Sequence, residues 1–383
     1  MSSAIDRQRL RSVFIEAALV IAVVAVLVWI GTNTAANLQR AHIASGFGFL
    51  GQRAGFEIAQ SLIPFSPDRS YGYALLAGLA NTLLVAVLGI LLASAIGFVV
   101  GVARLSRNWL VRTLAAVYVE IFRNIPPLLV IFFWYFGVLA VLPPPRQALD
   151  LGLGFSVSNR GLYAPEPVAG HGMIAVGLVF VFAVAAAVAL ARWAHARSEH
   201  TGRGFPGAVV GLVLVIVATG LAFVAAGMPL HLALPQRTRF NLIGGLQLQP
   251  EFVALLFALS IFTAAFIAEI VRSGVLAVGR GQTEAAYSLG LKPGPTLRLV
   301  VLPQALRVII PPLTSEYLNL TKNTSLAVAV GFSELVAVGG QILNQTGQAI
   351  EVVVIWMAVY LGISLLTSFA MNRFNRRIAL VER

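Results

Sequence analysis

Long apolar runs dominate the hydropathy pattern of the chain, and short polar stretches separate them. A segment needs roughly 20 mostly apolar residues to cross a hydrocarbon core of about 30 Å. Eight runs have this character, near residues 13–31, 74–102, 114–142, 171–191, 207–228, 251–277, 309–333 and 350–371. The pattern therefore predicts an all-α integral membrane protein with about eight transmembrane helices.

The polar stretches between the runs differ in length and composition. Short basic connections, VARLSRNWLVRT and ARWAHARSEHTGRG, join the second span to the third and the fourth to the fifth. The longer segment 32–73 spaces apolar residues by three or four among glycines, which predicts an amphipathic piece along the outer membrane face. The segment 143–170 opens with PPPRQ and is rich in Gly and Pro, so we expect irregular structure there.

Composition and charge agree with a membrane protein. With 58% hydrophobic and 11% charged residues, the chain has too little polar surface to cover a soluble globule. A formal charge of +12 would suggest nucleic acid as the partner of a soluble protein, but its distribution argues otherwise. If both termini are cytoplasmic, eighteen Lys and Arg residues lie on the inner side and seven on the outer side. This asymmetry follows the positive-inside rule and predicts cytoplasmic termini.

The first run follows three arginines, as a secretory signal would. Its apolar part is longer than a usual signal and no small-x-small cleavage site follows it, so a span is favoured over a cleaved signal. The chain has no cysteine, which excludes disulfides, thiolate metal sites and a cysteine nucleophile. The histidines are not grouped with Asp or Glu at ligand spacing, so no metal site is predicted. They are His42, His171, His195, His200 and His231.

A polar stretch broken by prolines, residues 281–304, lies between the sixth and seventh runs. Thr283 can cap a short helix there, Glu284 suits its first turn and Gly290 is placed to end it. The helix would have fewer than about two turns. Two prolines then prevent a simple continuation. The local sequence features alone favour an ordinary re-entrant connector. The alternative is a short rigid helix that is presented to a partner.

Polar residues inside the predicted spans are candidates for a substrate path, because a charge at mid-bilayer is costly unless it is paired or hydrated. Glu120 and Arg123 are spaced i, i+3 in the third span, as are Glu269 and Arg272 in the sixth, so each pair can form an ion pair. Such pairs can also simply hold helices together. The sequence NIPP after Arg123 predicts a kinked or unwound helix. The candidates for the path are Glu120, Arg123, Asn124, Glu269, Arg272, Glu316, Asn319, Lys322, Thr324 and Ser325.

The seventh span carries the densest polar group. Glu316, Asn319 and Asn323 share one helical face, and Thr324 and Ser325 follow Lys322. A free amino acid presents a carboxylate and an ammonium at fixed separation, so its site needs a cation and an anion. The lysine and the two hydroxyls could meet the carboxylate, and the glutamate the ammonium. Polar contacts that hold helices together are the alternative interpretation.

The polar stretch also carries a resemblance to a known family. The series Glu284, Ala285, Ala286, then Gly290, then Val300, Leu302 and Pro303 resembles the EAA loop of the membrane subunits of type I ABC importers. In that family the loop docks onto the ATP-hydrolysing subunit. Residues 78–106, 118–136, 264–286 and 302–327 resemble the branch that imports polar amino acids. Within that branch, residues 45–63 and the inserted fourth and fifth spans resemble a permease subunit of the general L-amino-acid importers.

The resemblance implies a permease subunit of an ATP-driven importer of L-amino acids in the bacterial inner membrane. Its five-helix core would use spans two, three, six, seven and eight, with inserted helices within about 143–250. The domains would be residues 1–73, the transmembrane domain 74–371 and a tail, 372–383. The residues that contact the ATPase would be Thr283, Glu284, Ala285, Ala286, Gly290, Leu302 and Pro303.

The resemblance also implies the partners. The chain contains no G-x-x-x-x-G-K-[ST], so ATP and Mg would be bound by a separate ATPase subunit, and the chain itself would carry no catalytic residue and no cofactor. The other partners would be a periplasmic binding protein and a second permease subunit, either a related one or another copy of this chain.

Two other classes of function remain as alternatives. An ion-coupled secondary amino-acid transporter would act alone and would need titratable residues near mid-membrane, but no internal repeat supports that class. A membrane scaffold without transport would have little reason to keep costly buried charges.

Overall fold

The computed structural model describes residues 2–40, 45–201, 205–239 and 241–378 of the chain. His42, Arg203 and residues 379–383 of the expected tail lie outside the described residues, as does the side chain of His200. Within these ranges the fold is mainly helical. The helices are α1 (Ser2–Arg40), α2 (Tyr71–Ala103), α3 (Trp109–Arg123), α4 (Pro127–Phe132), α5 (Met173–Thr201), α6 (Gly207–Ala225), α7 (Pro250–Leu276), α8 (Arg280–Ser288), α9 (Pro293–Thr296), α10 (Leu302–Asn323), α11 (Leu335–Thr346) and α12 (Ala349–Ile378).

The predicted spans are confirmed by the lengths of these helices. Among the described residues, seven helices are long and apolar enough to cross a membrane, or eight if one bent pair counts as a single span. The expected seventh span is a composite, because α9, a π-helical turn, α10 and a final 3-10 segment continue one another from residue 293 to 330. α12 runs to Ile378, beyond the expected end of the last span.

The third predicted span is the bent pair. α3 ends at Arg123 and α4 begins at Pro127, and the two helices meet at an angle of 108°. The bend falls where the two prolines remove backbone donors, so the predicted kink is confirmed. Asn124 caps the end of α3, since its side-chain amide donates to the Glu120 carbonyl oxygen over 2.7 Å. After α4 the chain continues as a π-helical stretch, Phe133–Leu139.

The chain divides into two compact units. The first, unit 1, comprises residues 1–135 and 254–383, and the second, unit 2, comprises residues 136–253. Unit 2 contains the helical hairpin of α5 and α6 and eight short strands, and α7 begins in unit 2 and continues through unit 1. The strands are β1 (Leu149–Gly152), β2 (Phe155–Ser158), β3 (Gly161–Ala164), β4 (Glu166–Ala169), β5 (Leu230–Ala233), β6 (Gln236–Arg237), β7 (Leu242–Ile243) and β8 (Leu246–Leu248).

The strands overturn the expectation of irregular structure over 143–170. An antiparallel sheet has the order β1-β2-β3-β8, while β4 pairs with β5 and β6 with β7. A two-residue loop joins β2 to β3, and Ser158 pairs with Gly161 across it. The alternation of apolar and polar residues in FSVS carries a strand signal, and Tyr163 of β3 is buried beside Ala148 and Leu242. The glycines lie at turns rather than breaking the segment.

In unit 1, α2 packs closely against α7. A β-carbon added at Gly97 would lie 2.6 Å from the Ile267 Cβ atom, and one added at Gly101 would lie 2.7 Å from the Val271 Cβ atom. The two glycines are four residues apart, the small-xxx-small spacing that lets membrane helices approach. This contact joins the second and sixth predicted spans.

The outer segment before α2 is not the expected amphipathic piece. It contains a short 3-10 helix, Phe47–Gly51, and otherwise runs as loop to Ser70. Phe49 is buried in a cluster with Tyr71 and residues of α11. The Asn81 amide fixes the loop by donating to the Gln60 and Ser333 carbonyl oxygens, each over 2.8 Å. The apolar residues of the segment therefore pack it against α2 and α11 and do not form one face of a free helix.

Candidate functional site

The helix in the polar stretch, α8, starts earlier than predicted. Gly279 occupies the N-cap position and no side chain caps the helix. Thr283 and Glu284 therefore lie beyond the first turn, so the predictions that Thr283 caps the helix and that Glu284 lies in its first turn are wrong. With nine residues, the helix is also longer than predicted. Thr283 lies inside the helix, so its capping propensity was a misleading signal for the start.

The predicted end of α8 at Gly290 is confirmed. Gly290 has a φ of +78°, in the left-handed region that favours glycine. Its N–H donates to the Tyr287 carbonyl oxygen over 2.9 Å, and the Leu291 N–H donates to the Ala286 carbonyl oxygen over 3.1 Å. These two bonds form a Schellman motif, which satisfies the last carbonyls of the helix and turns the chain sharply.

One face of α8 is anchored and the other is exposed. Ala286 is buried, and the Gln282 side chain accepts a hydrogen bond from the Gln304 side chain over 3.2 Å, which connects α8 to α10. Glu284 and Tyr287 are exposed, and Leu289 just after the helix is 82% exposed. Leu302 and Pro303 form the first turn of α10. A held helix with exposed apolar and acidic side chains is suited to contact another protein.

In unit 1, α7 and α10 line a half-open cavity of about 270 Å³, here called the Glu316 pocket. Its lining residues are Phe262, Thr263, Phe266, Glu316, Asn319, Lys322 and Asn323. The residues predicted to share a face of the seventh span are thus brought together, with Lys322 beside them. An anion, a cation and amides around one cavity can bind a zwitterion.

A cluster of charges, the Glu269 cluster, lies further along α7 towards α8. The Glu269 carboxylate forms an ion pair with Arg104 and accepts from the Arg272 Nη2 atom over 2.5 Å, so the predicted Glu269–Arg272 pair is confirmed. The Arg123 Nη1 atom lies 3.9 Å from the same carboxylate. Arg123 also lies over the ring of Phe266, which lines the Glu316 pocket, and so links the cluster to that pocket.

The predicted Glu120–Arg123 pair is not formed. Arg123 is directed to Glu269 instead, because the end of α3 brings it beside α7. Glu120 lines a separate open cavity of about 530 Å³, here called the arginine groove, at the end of unit 1 that leads to α8. Its lining residues are Arg104, Arg112, Thr113, Ala116, Val117, Glu120, Ile121 and Arg272.

Thr324 and Ser325 do not line the Glu316 pocket. The Thr324 hydroxyl is buried and donates to the Thr321 carbonyl oxygen over 2.8 Å, and the Ser325 hydroxyl donates to the Lys322 carbonyl oxygen over 2.8 Å. Ser325 lines another cavity, of about 360 Å³, which Lys322 and Tyr360 also line. Both hydroxyls therefore fix the backbone after Lys322, in the 3-10 turn that ends the composite helix.

Glu334 is a buried residue that the sequence did not indicate. Its carboxylate caps α11, accepting from the Ala337 N–H over 2.8 Å and from the Tyr360 hydroxyl over 3.2 Å. Glu334 lies between two candidate spans, and burial raises the pKa of its carboxyl to about 7. The Tyr360 hydroxyl lies 3.5 Å from the Thr324 hydroxyl, so this network reaches the segment after Lys322. A Glu directly before the apolar helix α11 was its only sequence signal.

The chain is similar to known transport proteins over its whole length. Residues 200–380 match the family model described as binding-protein-dependent transport system inner membrane component. The general L-amino acid transport system permease protein AapQ of Rhizobium johnstonii is 56% identical over 381 residues, which cover 100% of this chain and 95% of that protein. The glutamate/glutamine/aspartate/asparagine transport system permease protein BztB of Rhodobacter capsulatus is 42% identical, over 100% of this chain and 97% of that protein.

Solved structures are similar at a lower level. The crystal structure of an amino acid ABC transporter with histidines matches 80% of this chain and 95% of that chain, at 20% identity and a TM-score of 0.48.

Proposed function

Because the chain belongs to the family of binding-protein-dependent inner-membrane transport components, as an amino-acid ABC transport permease, we propose that unit 1 carries L-amino acids through the membrane and that α8 couples this movement to a separate ATPase. The observation that carries the proposal is α8 itself. It is anchored through Ala286, ended by Gly290 and exposes Glu284 on its free side.

The coupling contact is formed by the exposed face of α8 and the first turn of α10. Leu289 and Tyr287 supply apolar surface that a partner can bury, and Glu284 supplies a charge beside it. Thr283 and Ala285 lie next to Glu284 on the same short helix. Leu302 and Pro303 form the first turn of α10, which is joined to α8 by the hydrogen bond from Gln304 to Gln282. A helix of this length, held at its buried side and by its end motif, can transmit a displacement without bending.

The substrate is bound in the Glu316 pocket. The Lys322 ammonium is placed to meet the carboxylate of an amino acid, and the Glu316 carboxylate its ammonium, while the Asn319 amide can hydrogen-bond to either group. A cavity of about 270 Å³ is large enough for a small amino acid with some water. Arg123 and the Glu269 cluster continue the polar lining towards α8.

The chain acts as one subunit of a larger assembly in the bacterial inner membrane. Two ATPase subunits, which bind ATP and Mg, lie beneath α8, and a binding protein delivers the amino acid to the opposite face. A second permease subunit, related to this chain or a copy of it, completes the path. ATP-driven closure of the ATPases pulls on α8 and switches unit 1 between inward-facing and outward-facing states. The chain itself is not catalytic, and both of its termini face the cytoplasm.

Uptake into proteoliposomes tests the proposal. The assembly would contain this chain with the permease, ATPase and binding protein encoded beside it, and radiolabelled L-amino acids would be supplied with and without ATP. We expect ATP-dependent uptake by the wild-type assembly. Glu284→Lys should reduce this uptake at least tenfold, whether the ATPase stays fully bound or is partly released. The matched control is Glu166→Lys, which makes the same charge reversal at an exposed residue of β4 in unit 2.

Other outcomes would contradict this function. Uptake by the purified chain alone, driven by an ion gradient and unchanged by Glu284→Lys, would indicate a secondary transporter. Equal loss of uptake in Glu284→Lys and Glu166→Lys would show that α8 has no special role in coupling.

A further inference from the structure

The arginine groove is a cavity lined by several polar side chains, and the proposed function has so far given it no binding role. Its α3 wall presents Arg112, Thr113, Ala116 and Glu120, which are spaced so that they form one stripe along the helix. Two further guanidinium groups close the groove from other helices, Arg104 at the end of α2 and Arg272 near the end of α7. The groove therefore lies at the end of unit 1 from which α8 follows.

Positive charge exceeds negative charge around the groove. The single carboxylate of Glu269 is shared by Arg104, Arg123 and Arg272, so three guanidinium groups are served by one anion. Among the described residues, Arg112 forms no ion pair. The side chains of Arg104 and Arg272 are only 12% and 31% exposed. Partly desolvated cations without enough counter-charge favour the binding of an anionic group.

The remaining charge in the groove determines which anion fits. Glu120 is exposed on the same stripe as Arg112, two turns further along α3. A phosphate headgroup would be repelled by this carboxylate, whereas a ligand with a carboxylate and an ammonium would use both signs of charge. A polar stripe on a helix within a membrane domain also favours a water-filled path over lipid contact. The complementary ligand is an α-amino acid.

The groove and the Glu316 pocket are two separate cavities. They share no lining residue, and Arg272 lies six positions after Phe266 along α7, a rise of about 9 Å. The Glu269 cluster lies between the two, because its member Arg123 lies over Phe266 of the Glu316 pocket and its member Arg272 lines the groove.

We propose that the arginine groove is a second amino-acid site, which holds the substrate at the α8 end of unit 1 after it leaves the Glu316 pocket. Arg112, with Arg104 and Arg272, binds the carboxylate, and Glu120 binds the ammonium. The inference rests on the proposed function, since it takes the transported amino acid as the ligand. It adds an exit site, which an amino acid already inside the cell can also occupy.

Equilibrium binding of radiolabelled L-glutamine to the assembled transporter in nanodiscs, without binding protein and without ATP, tests this site. We expect Arg112→Gln to remove one bound amino acid per copy of this chain. Glu120→Gln should weaken binding of that same amino acid at least tenfold, and Glu316→Gln should weaken binding of a different one. The matched control is Arg107→Gln, which neutralises an exposed arginine in the same connection but outside the groove. Arg107→Gln should bind as the wild type does.

A ligand analogue separates direct contact from a structural role. N-acetyl-glutamine keeps the carboxylate but lacks the ammonium, so it should bind the wild-type groove at least tenfold more weakly than glutamine. In Glu120→Gln this discrimination should disappear at the groove and persist at the Glu316 pocket. A variant that merely disturbs packing would weaken both ligands equally.

Several results would overturn the inference while leaving the proposed function intact. One is ATP-dependent uptake by the wild type together with unchanged binding stoichiometry and unchanged affinity in both groove variants. Another is displacement of the groove ligand by inorganic phosphate at concentrations that leave the Glu316 pocket occupied, which would indicate a simple anion site. Absence of both binding and uptake in the wild type would instead contradict the proposed function itself.

Discussion

At the scale of single residues, a substitution of Glu316 tests the proposed substrate pocket. We expect Glu316→Gln to weaken direct binding of an amino acid to the assembled transporter by about 10- to 100-fold, since a hydrogen bond to a charged group contributes about 1.5–3 kcal/mol. Isothermal titration in the absence of the binding protein would measure this. The control is Glu57→Gln, which removes the same charge from an exposed loop residue. Equal affinities for Glu316→Gln and the wild type would exclude Glu316 as the ammonium partner.

Glu334 gives a prediction about stability. Glu334→Ala removes the side-chain cap of α11 and should cost about 0.5–2 kcal/mol of folding free energy, whereas Glu334→Gln keeps an oxygen acceptor and should cost less. Thermal unfolding of the detergent-solubilised chain, followed by circular dichroism, would compare the two variants. The reverse order of Tm values would show that the charge, not the cap, is what matters.

The same residue gives a prediction about pH. Burial raises the pKa of the Glu334 carboxyl from its usual 4.5 to about 7, so between these values the folded state binds more protons than the unfolded state. Stability from this group should therefore fall as pH rises from about 4.5 to about 7 and then level off. The Tm of the wild type should drop more between pH 5 and pH 8 than the Tm of Glu334→Gln. Identical drops would contradict the raised pKa.

Residue types and helical spacing predicted part of the candidate site. The common face of Glu316 and Asn319 follows from a period of 3.6 residues and was recovered in the pocket. The partner of Arg123 could not be predicted, because Glu269 is 146 positions away along the chain and is brought near only by the packing of α3 against α7. The burial of Glu334 could not be predicted from the sequence either, because it depends on α2 and α12 as well as on its own segment.

At the scale of secondary-structure elements, the close packing of α2 on α7 gives a matched pair of variants. Gly97→Ala would place a β-carbon 2.6 Å from the Ile267 Cβ atom, whereas nothing lies within 4 Å of a β-carbon at Gly362 in α12. Replacing an unhindered helical glycine by alanine gains about 1 kcal/mol of helix propensity. Gly97→Ala should therefore lower the Tm and Gly362→Ala should leave it unchanged or raise it. Similar Tm shifts in both variants would mean that α2 and α7 can separate without cost.

Helices were predicted better than the segments between them. Apolar runs of about 20 residues are long enough to outweigh local irregularities, so the spans were found even where two prolines bend α3 from α4. The start of α8 and the strands of unit 2 depend on short signals. Gly279 begins α8 without any side-chain cap, and the strands around Gly161 have four residues or fewer. In such segments Gly and Pro mark turns without deciding what lies between them.

At the scale of the whole molecule, the candidate transport residues fall in one unit. The Glu316 pocket, the Glu269 cluster, the arginine groove and α8 are all built from residues of unit 1, which also holds α2, α3, α10 and α12. Unit 2 contains the helical hairpin of α5 and α6 and the strands, but none of these residues.

The orientation of the molecule can be tested because the chain has no cysteine of its own. Leu153, in the β1–β2 hairpin of unit 2, is 92% exposed, and Leu289, just after α8 in unit 1, is 82% exposed. If the excess of Lys and Arg sets the topology, Leu153→Cys faces the periplasm and Leu289→Cys faces the cytoplasm. A membrane-impermeant maleimide should label Leu153→Cys in spheroplasts and Leu289→Cys only after the membrane is permeabilised. The reverse pattern would place α8 outside the cell, where no ATPase could reach it, and would contradict the coupling role together with the orientation.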